Sequence, residues 1–207
     1  MVSAINEARI SSAAATLKQW AGVASGGSLL AILDAAVNET LIERLYANTS
    51  VQFDVLARGD VAADEFYQSP FLVDLTRQPD LLNWVLSGWS QAWGIFVLCA
   101  PPPRPEMQRG PASEVQAELT FDRALRHLRG FTQARTEVGN VIGLRFYDPR
   151  VFGVLMHHLT AEQWQALFDT SSVLSGMAFE PAVGFELQRC ELGANGLAIS
   201  SVPLAAG

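Results

Sequence analysis

The chain has 207 residues, enough for one domain or two small lobes with a real core. Hydrophobic residues make up 49% and charged residues 17%, with a mean hydropathy of +0.18, which excludes a disordered chain. The net charge of −7 argues against general nucleic-acid binding.

So apolar a composition is unusual for a monomer surface. It points to a partner-binding face and admits a homodimer in the free state. Charge is unevenly spread: residues 34–80 hold nine acids and three Arg, residues 104–150 eight Arg and six acids. Lys18 is the sole lysine, and an Arg-biased half suits planar contacts with protein carboxylates. Cys99 and Cys190 fall in apolar, strand-like runs and imply no disulfide framework. No apolar run reaches the roughly 18–20 residues of a membrane helix. Glu7 and Arg9 precede an Ala-rich segment with no export-signal pattern, so the expectation is a cytoplasmic protein.

Taken in order, Ser12–Trp20 predicts an Ala-rich helix and residues 21–28 a small-residue linker. Leu29–Leu33 is a short, wholly apolar strand, expected to be central and covered on both faces, with Asp34 at its end. Asn38 caps a helix running to Tyr46. Val51–Leu56 alternates as a strand, 59–68 is an acidic loop, and Phe71–Leu75 is extended after Pro70. Pro79-Asp80 opens a helix whose Leu82, Val85, Leu86 and Trp89 share one face. Trp93–Cys99 is a strongly apolar strand, and Trp84, Trp89 and Trp93 read as core.

Composition then changes. Pro101, Pro102, Pro103, Pro105 and Pro111, with Arg104 and Arg109 between them, predict a stiff, mobile connector ending near Ala117. Thr120 is expected to cap a helix that turns Phe121, Leu125, Leu128 and Phe131 inward and Arg123, Arg126 and Arg129 outward. That arginine stripe is either a solvated face or a docking face for an acidic partner. Val141–Tyr147 predicts a strand carrying Arg145, a charge in an apolar run that requires a partner. Asp148, just past the strand, is one candidate. Asp148 as cap and Pro149 at the first helical position begin a helix over 151–159. Thr160 and Gln163 form a capping box for the next helix. Val183–Leu192 and Leu197–Val202 flank residues 193–196 as a hairpin.

These elements predict an α/β protein of two small lobes with short mixed sheets flanked by helices. The expected divisions are an N-terminal lobe over 1–99, a Pro-rich connector over 100–118, a C-terminal lobe over 119–178 and a hairpin extension over 179–207.

Chemistry is sparse. The sequence has no zinc spacing, no nucleophile elbow and no phosphate loop. His157 and His158 are adjacent, so on a helix they diverge by about 100° and chelate poorly together. No metal, cofactor or catalytic residue is expected. Arg145, Asp148 and Arg150 form the one cluster of chemical character. They either fix the strand-to-helix corner, contact a partner, or bind an anionic substrate. Asp34 has a turn or cap role or a site role.

The junction Arg145-Phe146-Tyr147-Asp148-Pro149-Arg150 resembles the signature of the bacterial DUF4123 family. Further blocks are similar to that family in the same order. They are Leu29–Asp34, Ser69-Pro70-Phe71-Leu72-Val73, Trp93-Gly94-Ile95-Phe96 and Leu125–Arg129, together spanning roughly residues 28–175. The Pro-rich insertion departs from the family, and the C-terminal hairpin lies outside the resemblance. The motif residues carried over are Asp34, Pro70, Trp93, Gly94, Arg145, Phe146, Asp148 and Pro149.

The resemblance implies an adaptor chaperone of type VI secretion that holds a toxic effector and helps load it onto the VgrG spike or its PAAR-type tip. On that expectation a groove between the lobes shields an apolar effector segment by strand addition or helix docking. Arg123, Arg126, Arg129, Arg150, Arg104 and Arg109 are the partner-binding candidates. Two other readings are an enzyme acting on a small anionic substrate and a structural subunit of a larger assembly.

Overall fold

The computed structural model describes residues 2–57, 62–88, 91–101, 113–168, 174–180, 186–193 and 196–204. Its centre is the apolar strand β1 (Ser28–Asp34), every residue of which is buried. An apolar strand without alternation has to be covered on both faces, and this one is. β3 (Pro70–Asp74) and β4 (Gly94–Cys99) flank it, both antiparallel. The full sheet has seven strands in the order β2-β3-β1-β4-β7-β8-β9, with β2 (Phe53–Val55) at one edge. β7 (Leu174–Phe179), β8 (Glu186–Gly193) and β9 (Gly196–Pro203) continue it on the other side. β5 (Gln133–Arg135) and β6 (Val141–Gly143) form a separate antiparallel hairpin.

Helices cover both faces. On one face lie α1 (Val2–Trp20), α2 (Leu41–Ala47) and α4 (Pro79–Ser87), whose Leu17, Leu41, Leu45, Leu82 and Val85 pack on Leu29, Ala31 and Leu33. On the other, α5 (Ser113–Leu128), α6 (Pro149–His158) and α7 (Ala161–Leu167) bring Phe121, Leu128, Phe152 and Trp164 onto Leu30, Ile32 and Val97. A four-residue helix, α3 (Ala63–Phe66), precedes β3 in the expected acidic loop.

The α/β class is as the sequence implies, but the sheet is not. Short mixed sheets in two lobes give way to one sheet that runs through both halves of the chain. Every strand pairing among the described residues is antiparallel. The reason is β7, Leu174–Phe179, a strand without a clear signal in the sequence. It pairs with β4 and so welds the C-terminal strands to the N-terminal ones. The connector is also shorter than expected. Residues 102–112, with Arg104 and Arg109, lie outside the described residues, as does Trp89. Ser113 already opens α5, so Thr120 is a buried mid-helix residue and not a cap. Residues 113–119 are mostly good helix formers, and five prolines upstream obscured them.

Candidate functional site

β1, β3 and β4 bring their family-like ends together. Asp34 closes β1 opposite Pro70, the first residue of β3, and Leu33 lies opposite Gly94, the first of β4. The Asp34 amide donates to the Trp93 carbonyl at 2.7 Å, and the Ala35 amide donates to Ser69 O at 3.3 Å. Gly94 is required by contact: a Cβ there would sit 2.1 Å from the Ile32 carbonyl oxygen. Just before this strand Ala92 holds a left-handed φ of 55°, which costs an L-residue about 1 kcal/mol. Trp93 is buried, its ring edge-on to Trp84 at 4.9 Å, and the Arg44 guanidinium stacks over Trp84 at 4.5 Å.

Asp34 is 3% exposed, so its carboxylate has to be satisfied within the protein. Oδ1 accepts from the Ala36 amide at 3.0 Å, and Oδ2 accepts from Arg145 Nη2 in a close ion pair. Thus the partner of Arg145 is Asp34, 111 positions away, and not Asp148. The expected strand over 141–147 stops at Gly143, and a turn closed by the Asp148 amide on Arg145 O, at 3.0 Å, takes its place. That turn carries the Arg145 side chain off the hairpin and across to the end of β1. Half of the side chain remains exposed.

The guanidinium also lies over the Tyr147 ring, 5.9 Å from its centroid. Partial burial disfavours charged Arg145, but the Asp34 carboxylate outweighs it and lifts its pKa above the ordinary value. Burial pushes the Tyr147 phenol up, the Asp34 charge adds to that, and Arg145 opposes both.

Asp148 performs the expected capping of α6. Its Oδ1 accepts from the Arg150 amide at 2.9 Å. The same carboxylate takes a two-pronged ion pair from the Arg150 side chain, Nε to Oδ1 at 2.9 Å and Nη2 to Oδ2 at 2.6 Å. Burial pushes the Asp148 carboxyl up, but the hydrogen bonds from Arg150 prevail and hold it below the usual carboxylate range. Pro149 takes the first helical position, and Phe146 is buried against the second face of the sheet.

Two arginines, 145 and 150, are therefore each anchored by a buried aspartate while much of each side chain meets solvent. They can offer their remaining N–H groups to an acidic partner. The β5–β6 hairpin, which ends two residues before Arg145, exposes Val138, Val141 and Ile142, at 83%, 55% and 49%.

The remaining candidates are dispersed. Arg123 and Arg126 are exposed on α5. Arg129 is half-buried and belongs to the sheet: Nη2 donates to Val55 O at 2.6 Å and to Asp54 Oδ2 at 3.1 Å. It is an edge clamp, not a free member of the stripe. His157 and His158 are exposed, and His127 Nε2 bonds the Leu167 carbonyl at 2.8 Å. Among the described residues no three His, Cys, Asp or Glu side chains cluster to hold a metal, and no helix is long and apolar enough to cross a membrane. Cys99 and Cys190 are buried; burial pushes the Cys190 thiol up to about 12 and Cys99 higher still.

Sequence reasoning missed Asp34 as the partner of Arg145, and Tyr147 as its stacking surface. A strand register carries no signal for a contact made by a turn. Residues 29–166 match the family profile described as Domain of unknown function (DUF4123). The chain belongs to the DUF4123 family. No curated protein and no solved structure matches it. The DUF4123 match begins in β1 and ends in α7. It therefore contains both ends of the Asp34–Arg145 pair, while β7, β8 and β9 lie beyond it.

Proposed function

We propose that this DUF4123 protein is a cytoplasmic, non-catalytic adaptor chaperone that binds a type VI secretion effector and helps load it onto the spike or its tip. The observation that carries the reading is the convergence of family residues from distant blocks. Asp34, Pro70, Trp93-Gly94 and Arg145 meet at one end of the sheet, where Asp34 holds a half-exposed Arg145 side chain two residues after an exposed apolar hairpin. An arginine so fixed is a recognition device: its donors are oriented before the partner arrives.

The cargo segment this surface fits is apolar with acidic flanks. Val138, Val141 and Ile142 would cover its apolar part, and Arg145 and Arg150 would meet its carboxylates. Because the aspartates already share the charge of both arginines, the contact stays weak enough to be reversed when cargo is handed to the spike.

The test is deletion in the native host together with affinity purification. The expected result is lower effector abundance and secretion without the protein, and enrichment of a toxin with a spike or tip protein over a tagged control. Unchanged effector levels and secretion, with none of these proteins enriched, would reject the adaptor reading. Turnover of a small anionic substrate that is lost in Arg145→Ala would replace it with an enzymatic one.

A further inference from the structure

The two edges of the seven-stranded sheet are finished differently. β2 is three residues long, carries Asp54, and has its Val55 carbonyl occupied by Arg129. Short, charged, capped edges resist the addition of another strand. β9, at the other edge, runs for eight residues. Its sequence, Gly196 to Pro203, contains no charged residue. Among the described residues no strand lies beyond it.

Ala198, Ile199, Ser200 and Ser201 are exposed in succession, so both faces of the strand meet solvent. The register with β8 is unbroken from Gly193↔Gly196 to Glu186↔Pro203, so no bulge turns this edge aside. An antiparallel strand directs alternate backbone N–H and C=O groups outward, and a long uncharged row of them is a template for another strand.

We propose that β9 is a dimerisation edge. It pairs antiparallel with β9 of a second copy of this chain, joining two sheets into one. Symmetry and charge both favour a second copy. Two identical antiparallel strands are related by a two-fold axis, which sets only the mid-strand residues next to the axis close to their own counterparts. Any charge in mid-strand would then face itself, and β9 has none to face. With the axis near Ser200, Ile199 falls opposite Ser201 and Ala198 opposite Val202, all neutral. The charged neighbours Arg189 and Glu191 lie one strand back, on β8, and are already ion-paired with each other. The inference does not depend on the adaptor reading, because β9 lies outside the residues that match the family.

Sedimentation equilibrium of the full chain, from about 1 to 100 µM, tests it. The expected species has twice the 22.4 kDa chain mass. Ile199→Lys with Ser201→Lys sets like charges across the axis and should weaken the dimer by about tenfold or more. The double variant should keep the wild-type circular dichroism and melting profile, since both positions are exposed. Val138→Lys, on the separate hairpin, should leave the dimer intact. A wild-type chain that stays monomeric throughout the range overturns the proposal. So does a dimer that survives the β9 variant but dissociates in Val138→Lys.

Discussion

Arg145 and Asp34 lie 111 positions apart, yet the guanidinium donates directly to a carboxylate that is almost fully buried. The pair ties the turn before α6 to the C-terminal end of the central strand. Removing the arginine leaves Asp34 with the Ala36 amide and no countercharge. Arg145→Ala is therefore expected to lower stability by about 1–3 kcal/mol, toward the low end because half of the arginine is solvated. Arg145→Lys should recover part of the loss, since it restores charge but not the planar donor. Urea unfolding with a fixed m-value measures both. An unchanged midpoint in Arg145→Ala would mean that the pair adds nothing to the fold.

Gly94→Ala examines the other side of the same junction. The added Cβ would meet the Ile32 carbonyl at 2.1 Å, and that oxygen belongs to the central strand and cannot step aside. The expected cost is about 2 kcal/mol or more, larger than the usual price of a surface alanine. Thermal unfolding decides it; a melting temperature within error of wild type would rule out so close an approach of β1 and β4.

Much of this frame is legible from sequence. The unbroken apolar run at Leu29–Leu33 forecasts a buried central strand, and β1 is one. Asp148 and Thr160 signal their helices by local chemistry, and both caps form as expected. What the sequence hides is long-range. Nothing within reach of Arg145 names Asp34, and the nearest acid in sequence, Asp148, stands only as one candidate partner. Arg129 reads as one of three outward arginines at helical spacing, because its reach to the β2 edge depends on the packing of α5. β7 reads poorly as a strand because Ser175 and Gly176 interrupt its apolar pattern.

The Asp148–Arg150 pair predicts a pH dependence. The folded carboxyl is held below its ordinary value, so the pair stabilises the protein fully above the unfolded carboxylate pKa, about 4. That contribution is lost as pH falls from there through the depressed folded value. Asp148→Asn retains a capping oxygen but removes the charge. The stability gap between wild type and Asp148→Asn should be present at pH 7 and shrink steadily below about pH 4. Urea midpoints compared across that range test it. A gap of constant size would mean that the Arg150 ion pair contributes no stability.

The arginines of α5 and the one just past its end separate a surface role from a structural one. Arg123 and Arg126 are exposed, whereas Arg129 caps the Val55 carbonyl and pairs with Asp54 at the short β2 edge. Reversing Arg123 and Arg126 to Glu should leave stability within about 0.5 kcal/mol, as surface changes do. Adding Arg129→Glu removes the donors from Val55 and sets a carboxylate beside Asp54. The triple variant should lose about a further 1–2 kcal/mol. It should also speed amide exchange in β2 and β3, whose edge loses its clamp. The double variant is thus the one to use against an acidic partner, because any loss of binding then reports on the surface. Should the double variant unfold as readily as the triple one, the division drawn between Arg129 and its two neighbours would be wrong.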